Sequence, residues 1–188
     1  KTKPIVVVIG PAGTGKTFLA CQAGAQSIIE NSKNKLVITR PTATTDEEYG
    51  YLPGDINKKL APWLQPIYDS FEKEERSKKS YAKLKAKIEI APFAYMRGRT
   101  FDDSWIVADE MQNATIAQTK MLLTRLGQRS KLVLTGDPNQ CDVHISGLHD
   151  FIHKLNLYGL SEYIQLIELD KDDVIRSPTV QEVLAIYD

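Results

Sequence analysis

Residues Gly10 to Thr17 read GPAGTGKT and fill every fixed position of the pattern G-x-x-x-x-G-K-[ST]. The flanking residues decide what that pattern means. Before it, Ile5, Val6, Val7, Val8 and Ile9 form a short β-branched apolar run, as expected of a buried parallel strand. After it, Phe18, Leu19, Cys21, Ala25, Ile28 and Ile29 recur at helical spacing. The loop is therefore expected to join a strand to a helix N-terminus, where unpaired backbone N–H groups and the helix dipole attract an anion. Gly10, Gly13 and Gly15 let the backbone wrap phosphate oxygens without Cβ clashes. Pro11, Ala12, Thr14 and Phe18 complete the candidate cradle. Lys16 can reach the β- and γ-phosphates, and the Thr17 hydroxyl can ligate magnesium. A glycine-rich turn with a chance lysine would lack the strand and the helix. The reading predicts a bound nucleoside triphosphate.

Outward from the loop, apolar strand candidates alternate with helical patterns, the signature of a parallel α/β sheet. Strands are expected at 5–9, 36–39, 88–91, 105–108, 131–135 and 164–168. Helices are expected after the loop and at 57–71, 117–126, 147–155 and 177–187. The 188 residues suit one domain with a substantial core, taken as 1–188. The 24 basic and 24 acidic side chains cancel, so nucleic-acid binding would have to come from a local patch. Cys21 and Cys141 lie far apart with no metal-ligand spacing, and Cys21 falls on the apolar face of the first helix. No signal peptide and no apolar stretch approaching about 18 residues is present. The expectation is a cytoplasmic protein with no membrane partner.

Three further segments carry chemistry. Trp105-Ile106-Val107-Ala108-Asp109-Glu110 is an apolar run ending in two carboxylates, placed where open α/β sheets bind ligands. Asp109 would hold the magnesium hydration shell beside Thr17, and Glu110 could orient, deprotonate or polarise the attacking water. A small-molecule kinase has no need of that second acid, so hydrolysis is favoured. Next, KLVLTGDPNQCD (131–142) offers another buried strand and brings Gln140 near the γ-phosphate as a sensor. Asp137 and Asn139 also make an ordinary turn sequence. Last, in Asp173-Val174-Ile175-Arg176-Ser177-Pro178, Arg176 precedes a helix start. It can pair with Asp172 or Asp173, or stabilise transition-state charge on a neighbouring subunit's nucleotide.

Other cations leave alternatives open. The stretch 71–87 holds seven basic against three acidic residues and reads as a solvated face or a nucleic-acid contact. Arg40, Arg97 and Arg99 sit at strand exits that permit phosphate contact, to nucleotide or to a nucleic-acid backbone. His149 and His153 can share a helix face, without a partner that would suggest metal.

The residues GPAGTGKTFLA, the Thr39-Arg40-Pro41 exit, the segment 49–69 (YGYLPGDINKKLAPWLQPIYD), APFAYMRGRTFDD, ADEMQNAT, MLLTRLGQRSKLVLTGDPNQCD and DDVIRSPTV together resemble the PhoH-like family of P-loop ATPases. The resemblance covers nearly the whole chain. It implies a single RecA-like core related to superfamily one helicases, magnesium-dependent ATP hydrolysis, RNA association and assembly into a ring such as a hexamer. By that resemblance Arg176 is the residue that acts on a neighbour's nucleotide. Ser177 stands where a histidine is usual, and Thr44-Thr45-Asp46-Glu47-Glu48 departs from the family's glycine-bearing stretch. The chain begins nine residues before Gly10, so the family's upstream segment over the adenine is expected to be missing, as is a preceding nuclease domain. Two functions compete: an oligomeric ATPase acting on RNA or single-stranded nucleic acid, and a nucleotide-dependent switch or assembly protein without motor activity. A complete helicase would need a second RecA-like domain.

Overall fold

The computed structural model describes residues 3–30, 33–41, 82, 84–174, 179, 180, 182 and 186. Six strands form one sheet: β1 (Ile5–Ile9), β2 (Lys35–Thr39), β3 (Ile88–Ile90), β4 (Ser104–Ala108), β5 (Lys131–Gly136) and β6 (Ile164–Glu168). All six expected strands are present, with ends within one residue of the expectation. Helix α1 (Lys16–Ile29) follows β1, α2 (Ile116–Leu123) precedes β5, and α3 (Gly147–Tyr158) links β5 to β6. The expected helix 57–71 lies outside the described residues, as does most of 177–187, of which 179, 180, 182 and 186 are helical.

Every pairing is parallel, in the order β3-β2-β4-β5-β1-β6. This is the α/β architecture, a parallel sheet flanked by helices, expected from the sequence. Val7 on β1 is level with Leu134 on β5 and Leu166 on β6, while Ile106 on β4 is level with Val37 and Leu132. From β1 the chain crosses to β2 on one side of the sheet, and from β5 it crosses over β1 to reach β6 on the other. That reversal at β1 creates a crevice at the strands' C-terminal ends, where α/β sheets bind ligands.

Alternation along each strand divides the core between the two faces. Val7, Val37, Ile106, Leu132 and Leu134 face one way, with Met111, Leu122 and Leu148. Leu36, Ile38, Trp105, Val107 and Val133 face the other and receive Ala20, Cys21, Ala25 and Ile28 of α1. The α1 contact is close. A Cβ on Gly24 would lie 2.7 Å from Trp105 Cδ1 and 2.8 Å from Leu36 Cδ1. Trp105 Nε1 also donates to Ala20 O at 3.1 Å, fixing the helix along the sheet.

Two helices depart from expectation at their ends. Helix α2 begins one residue early because Thr115 caps it, accepting from Gln118 N while Gln118 Oε1 accepts from Thr115 N. That T-x-x-Q capping box is a start signal written in the sequence. It ends three residues early, where the Thr124 hydroxyl bonds back to Lys120 O and Met121 O. Helix α3 runs three residues beyond Leu155, to Tyr158, and is capped at Gly159. Leu157 and Tyr158 in that added turn are exposed, so no buried apolar period extends through it.

Candidate functional site

The loop leaving β1 is set by backbone geometry. Gly10 N donates to Gly136 O across to β5 at 3.3 Å. Gly15 takes φ 75°, ψ 16°, a left-handed conformation that glycine adopts without Cβ strain, and hands the chain into α1 at Lys16. Thr14 is buried and its hydroxyl donates to Pro11 O at 2.9 Å, bracing the turn. Lys16 Nζ donates to Gly10 O at 2.8 Å and Pro11 O at 2.7 Å, and lies 3.3 Å from Thr14 Oγ1. Burial draws the Lys16 pKa below the usual lysine value, against the opposing pull of Asp137, Glu110 and Asp109.

The acids at the end of β4 complete this edge. Thr17 Oγ1 donates to Asp109 Oδ1 at 2.5 Å, and Thr135 Oγ1 from β5 donates to the same oxygen at 2.7 Å. Asp109 N donates to Thr39 O at 2.9 Å, extending the β2–β4 ladder by one residue. The buried carboxylate is therefore held at a fixed place beside the start of α1. Glu110 follows in left-handed backbone, φ 54° and ψ 39°, at the entrance to the tight turn Met111–Asn113. A non-glycine residue there carries backbone strain of the kind that collects at functional sites. Gln112 Nε2 donates to Glu110 Oε2 at 2.5 Å, and an Arg40 guanidinium nitrogen is 3.8 Å from Glu110 Oε1.

The β5 exit turns on Asp137, whose Oδ1 accepts from Asn139 N at 3.0 Å, an Asx turn. Gln140 Nε2 donates to Asp137 Oδ2 at 2.8 Å. Gln112 reaches this exit too, since its Oε1 accepts from Asp137 N at 3.2 Å. Lys16, Thr17, Asp109, Glu110, Asp137 and Gln140 thus line one cleft with Ala12, Gly13, Gly15, Phe18 and Gly136. Of the expected loop residues, Gly10, Pro11 and Thr14 do not line this cleft, though all three contact Lys16. Arg176 lies outside the described residues.

The other candidates separate. Arg97 is exposed at the turn after β3. Arg99, by contrast, is not held ready for phosphate, because its guanidinium pairs with Glu89 and stacks on Phe101, 4.4 Å from the ring centroid. Glu89 also takes Lys35 at 2.8 Å. His149 and His153 are exposed on α3, and among the described residues no cluster of three His, Cys, Asp or Glu could hold a metal. Burial pushes the Cys21 thiol far above its usual range, with a further push from Asp109, as suits a core residue. Sequence reasoning missed Thr135 and Gln112. A hydroxyl at the end of the apolar run KLVLT could have marked Thr135, whereas nothing local marks Gln112.

A glycine-rich strand-to-helix loop, with its lysine and threonine facing a strand that ends in two acids, defines a P-loop nucleotide-binding fold of the ATPase class. The family model described as PhoH-like protein matches residues 1–188. The chain belongs to the PhoH-like family. It is 43% identical over 192 residues to a PhoH-like protein of Bacillus subtilis, covering 100% of this chain and 59% of that protein. To a PhoH-like protein of Synechocystis it is 42% identical over 188 residues, covering 98% and 56%. To Protein PhoH of Escherichia coli K12 it is 37% identical over 193 residues, covering 100% and 54%. The chain thus spans a little over half the length of these relatives. Among solved structures it is similar to the Sulfolobus solfataricus SWI2/SNF2 ATPase core in complex with dsDNA. That match has a TM-score of 0.47 and 17% identity, covering 86% of this chain and 40% of that one. The likeness is remote and bears on neither substrate nor mechanism. No helix among the described residues is long and apolar enough to cross a membrane.

Proposed function

We propose that residues 1–188 form an ATPase domain that hydrolyses ATP with magnesium and acts on RNA or single-stranded nucleic acid as a cytoplasmic homo-oligomer. The observation that carries this reading is that Thr17, Asp109 and Glu110 line one cleft with the phosphate loop. The donors there suit magnesium: a hydroxyl and a carboxylate, both hard oxygens, joined by a hydrogen bond that leaves the hydroxyl's lone pairs for the ion. Thr17 and Asp109 would hold the ion, and when bound it supplies charge neutralisation at the β- and γ-phosphates.

The chain's own residues would do the rest. Gly10 to Phe18 wrap the phosphates, and Lys16 exchanges its loop carbonyls for phosphate oxygens. Glu110 accepts a hydrogen bond from the attacking water, aims it at the γ-phosphorus and takes its proton. Gln140 hydrogen-bonds the γ-phosphate or that water. Arg176, assigned from sequence alone, stabilises transition-state charge in a neighbouring subunit. Mixing Arg176→Ala with Lys16→Ala tests this, because mixed oligomers contain interfaces pairing an intact loop with an intact arginine. Recovered turnover supports action in trans, and no recovery in co-assembled mixtures overturns it.

The nucleic-acid part draws on the turn after β3. Phe93 and Met96 are buried and anchor it, which leaves Tyr95 62% exposed beside exposed Arg97. An exposed aromatic ring with a neighbouring guanidinium is the equipment of single-strand binding. The test is ATP turnover with and without single-stranded RNA across a salt series. Stimulation by RNA, with affinity falling as salt rises, is expected. Turnover indifferent to RNA favours the second reading, a nucleotide-dependent switch or assembly protein. That reading gains from the exposed apolar Leu157, Tyr158, Leu160 and Tyr163 around the end of α3, a surface suited to a protein partner.

A further inference from the structure

Gln112 is 2% exposed, yet it is polar and lies just past the strained residue Glu110. Its amide spans the exits of two strands. Nε2 donates to Glu110 Oε2 at 2.5 Å, and Oε1 accepts from Asp137 N at 3.2 Å. These partners fix which end of the amide is which. A backbone N–H can only donate, so the amide oxygen must face Asp137, which turns the NH₂ toward Glu110.

Gln112 is also fixed from behind. A Cβ on Gly136 would come within 2.8 Å of Gln112 Oε1, so β5 leaves its amide no slack. Cys141 Sγ donates to Gln112 O at 3.3 Å, and Asp142 N donates to Asn113 Oδ1 at 2.9 Å. The turn after β4 and the turn after β5 are therefore bonded to one another through Gln112 and Asn113. The Asp137 carboxylate meanwhile accepts from Gln140. A continuous chain of hydrogen bonds runs Glu110–Gln112–Asp137–Gln140, with the one buried amide at its middle.

We infer that Gln112 is a positioning residue for ATP hydrolysis: it sets the Glu110 carboxylate relative to the attacking water and ties that setting to the Asp137–Gln140 turn. The inference rests on the reading of Glu110 as the water-activating group. An amide is needed because the position calls for a donor and an acceptor at opposite ends of one short side chain. Glutamate at 112 retains the volume and the acceptor for Asp137 N but loses the donation to Glu110. Methionine retains the volume and loses both.

The test compares Gln112→Glu, Gln112→Met and Glu110→Gln by ATP turnover at pH 8, affinity for a non-hydrolysable ATP analogue, and thermal melting. For both Gln112 variants kcat is expected to fall about 100-fold, the scale of a misplaced catalytic group. Analogue affinity should stay within about threefold, because the contact acts after binding. In the Glu110→Gln background, adding Gln112→Glu should slow the residual rate no further, since the residue through which it acts has gone. A merely structural tether would instead multiply the two losses. A folded Gln112→Glu protein with wild-type kcat, alongside a slow Glu110→Gln, overturns the inference and leaves the Glu110 reading standing. Wild-type turnover by Glu110→Gln fells both. Should Gln112→Met fail to fold, Gln112→Glu decides, and loss of fold in both returns Gln112 to a structural part.

Discussion

At the entrance to β4, Asp103 has φ 47°, and at the entrance to β5, Arg129 has φ 53°. At the exit of β4, Glu110 has φ 54°. Three non-glycine residues thus occupy nearly the same uncommon backbone region, at opposite ends of one sheet. The entrance pair is closed on itself. Arg129 Nε and a terminal nitrogen each reach a different Asp103 oxygen at 2.6 Å. Around them Ser130 Oγ donates to Phe101 O at 2.6 Å and accepts from Ser104 N at 3.0 Å, and Asp102 Oδ1 accepts from Gln128 N at 2.6 Å. The exit is built otherwise. Glu110 is steadied by Gln112 and by a distant Arg40, and it lines an open cleft. Equal backbone geometry therefore serves two ends: at the entrance the polar groups use up one another's capacity, and at the exit some capacity faces outward.

Four experiments break or sharpen that contrast. Glu110→Gln should lower kcat by about 10²- to 10⁴-fold, the range for a general base, with analogue binding intact. Steady-state turnover checks this, and a wild-type rate would place water activation elsewhere. Lys16→Ala should weaken triphosphate affinity by about 100-fold, from the loss of charge-assisted hydrogen bonds. Equilibrium titration with a fluorescent ATP analogue measures it, and unchanged affinity would undo the loop assignment.

At the entrance the expected effects move from activity to stability. Ser130→Ala leaves the Ser104 N–H without its buried partner, while Gly127 N still donates to the Phe101 carbonyl, and should cost about 1–3 kcal/mol in denaturant unfolding. Its kcat should equal that of the wild type, so a loss of turnover would erase the distinction between the two ends. The smallest effect concerns Glu89. Hydrogen bonds and charge from Lys35 and Arg99 outweigh the upward push of burial and hold its carboxyl below the usual range. A carboxyl depressed in the folded state lends stability above its unfolded pKa, near 4.3, and loses it as pH falls through the folded value. Glu89→Gln should therefore flatten the acid limb of the stability curve below about pH 5. An unchanged acid limb would show that the Lys35–Glu89–Arg99 cluster contributes nothing to stability.

The residues differ in how visible they are from the chain alone. Strands such as β1 and β5 are legible because burial on both faces demands continuous apolar runs, IVVVI and LVL, that few other contexts tolerate. The phosphate loop and the Asp109-Glu110 pair are legible because each function sits in consecutive residues. Thr115 and Gln118 were legible as a capping box, and the helix start could have been placed from them. Gln112 was not, because its role depends on β5 lying beside β4, which brings Asp137 to it from 25 positions away. The backbone of Glu110 was equally hidden, since glutamate has no local preference for left-handed geometry. Arg99 looked free only because its counter-charge, Glu89, lies on a strand ten residues earlier.

Gly24 bears on how this chain could be altered. Replacing a mid-helix glycine by alanine is ordinarily a route to a sturdier protein, by about 1 kcal/mol. Here the added methyl group would strike Trp105 and Leu36 and lift α1 from the sheet. That helix carries Lys16 at its first position, eight residues or about 12 Å upstream. Thermostabilisation by that route would be answered at the phosphate loop, so any redesign of α1 has to begin by trimming the indole that lies against it.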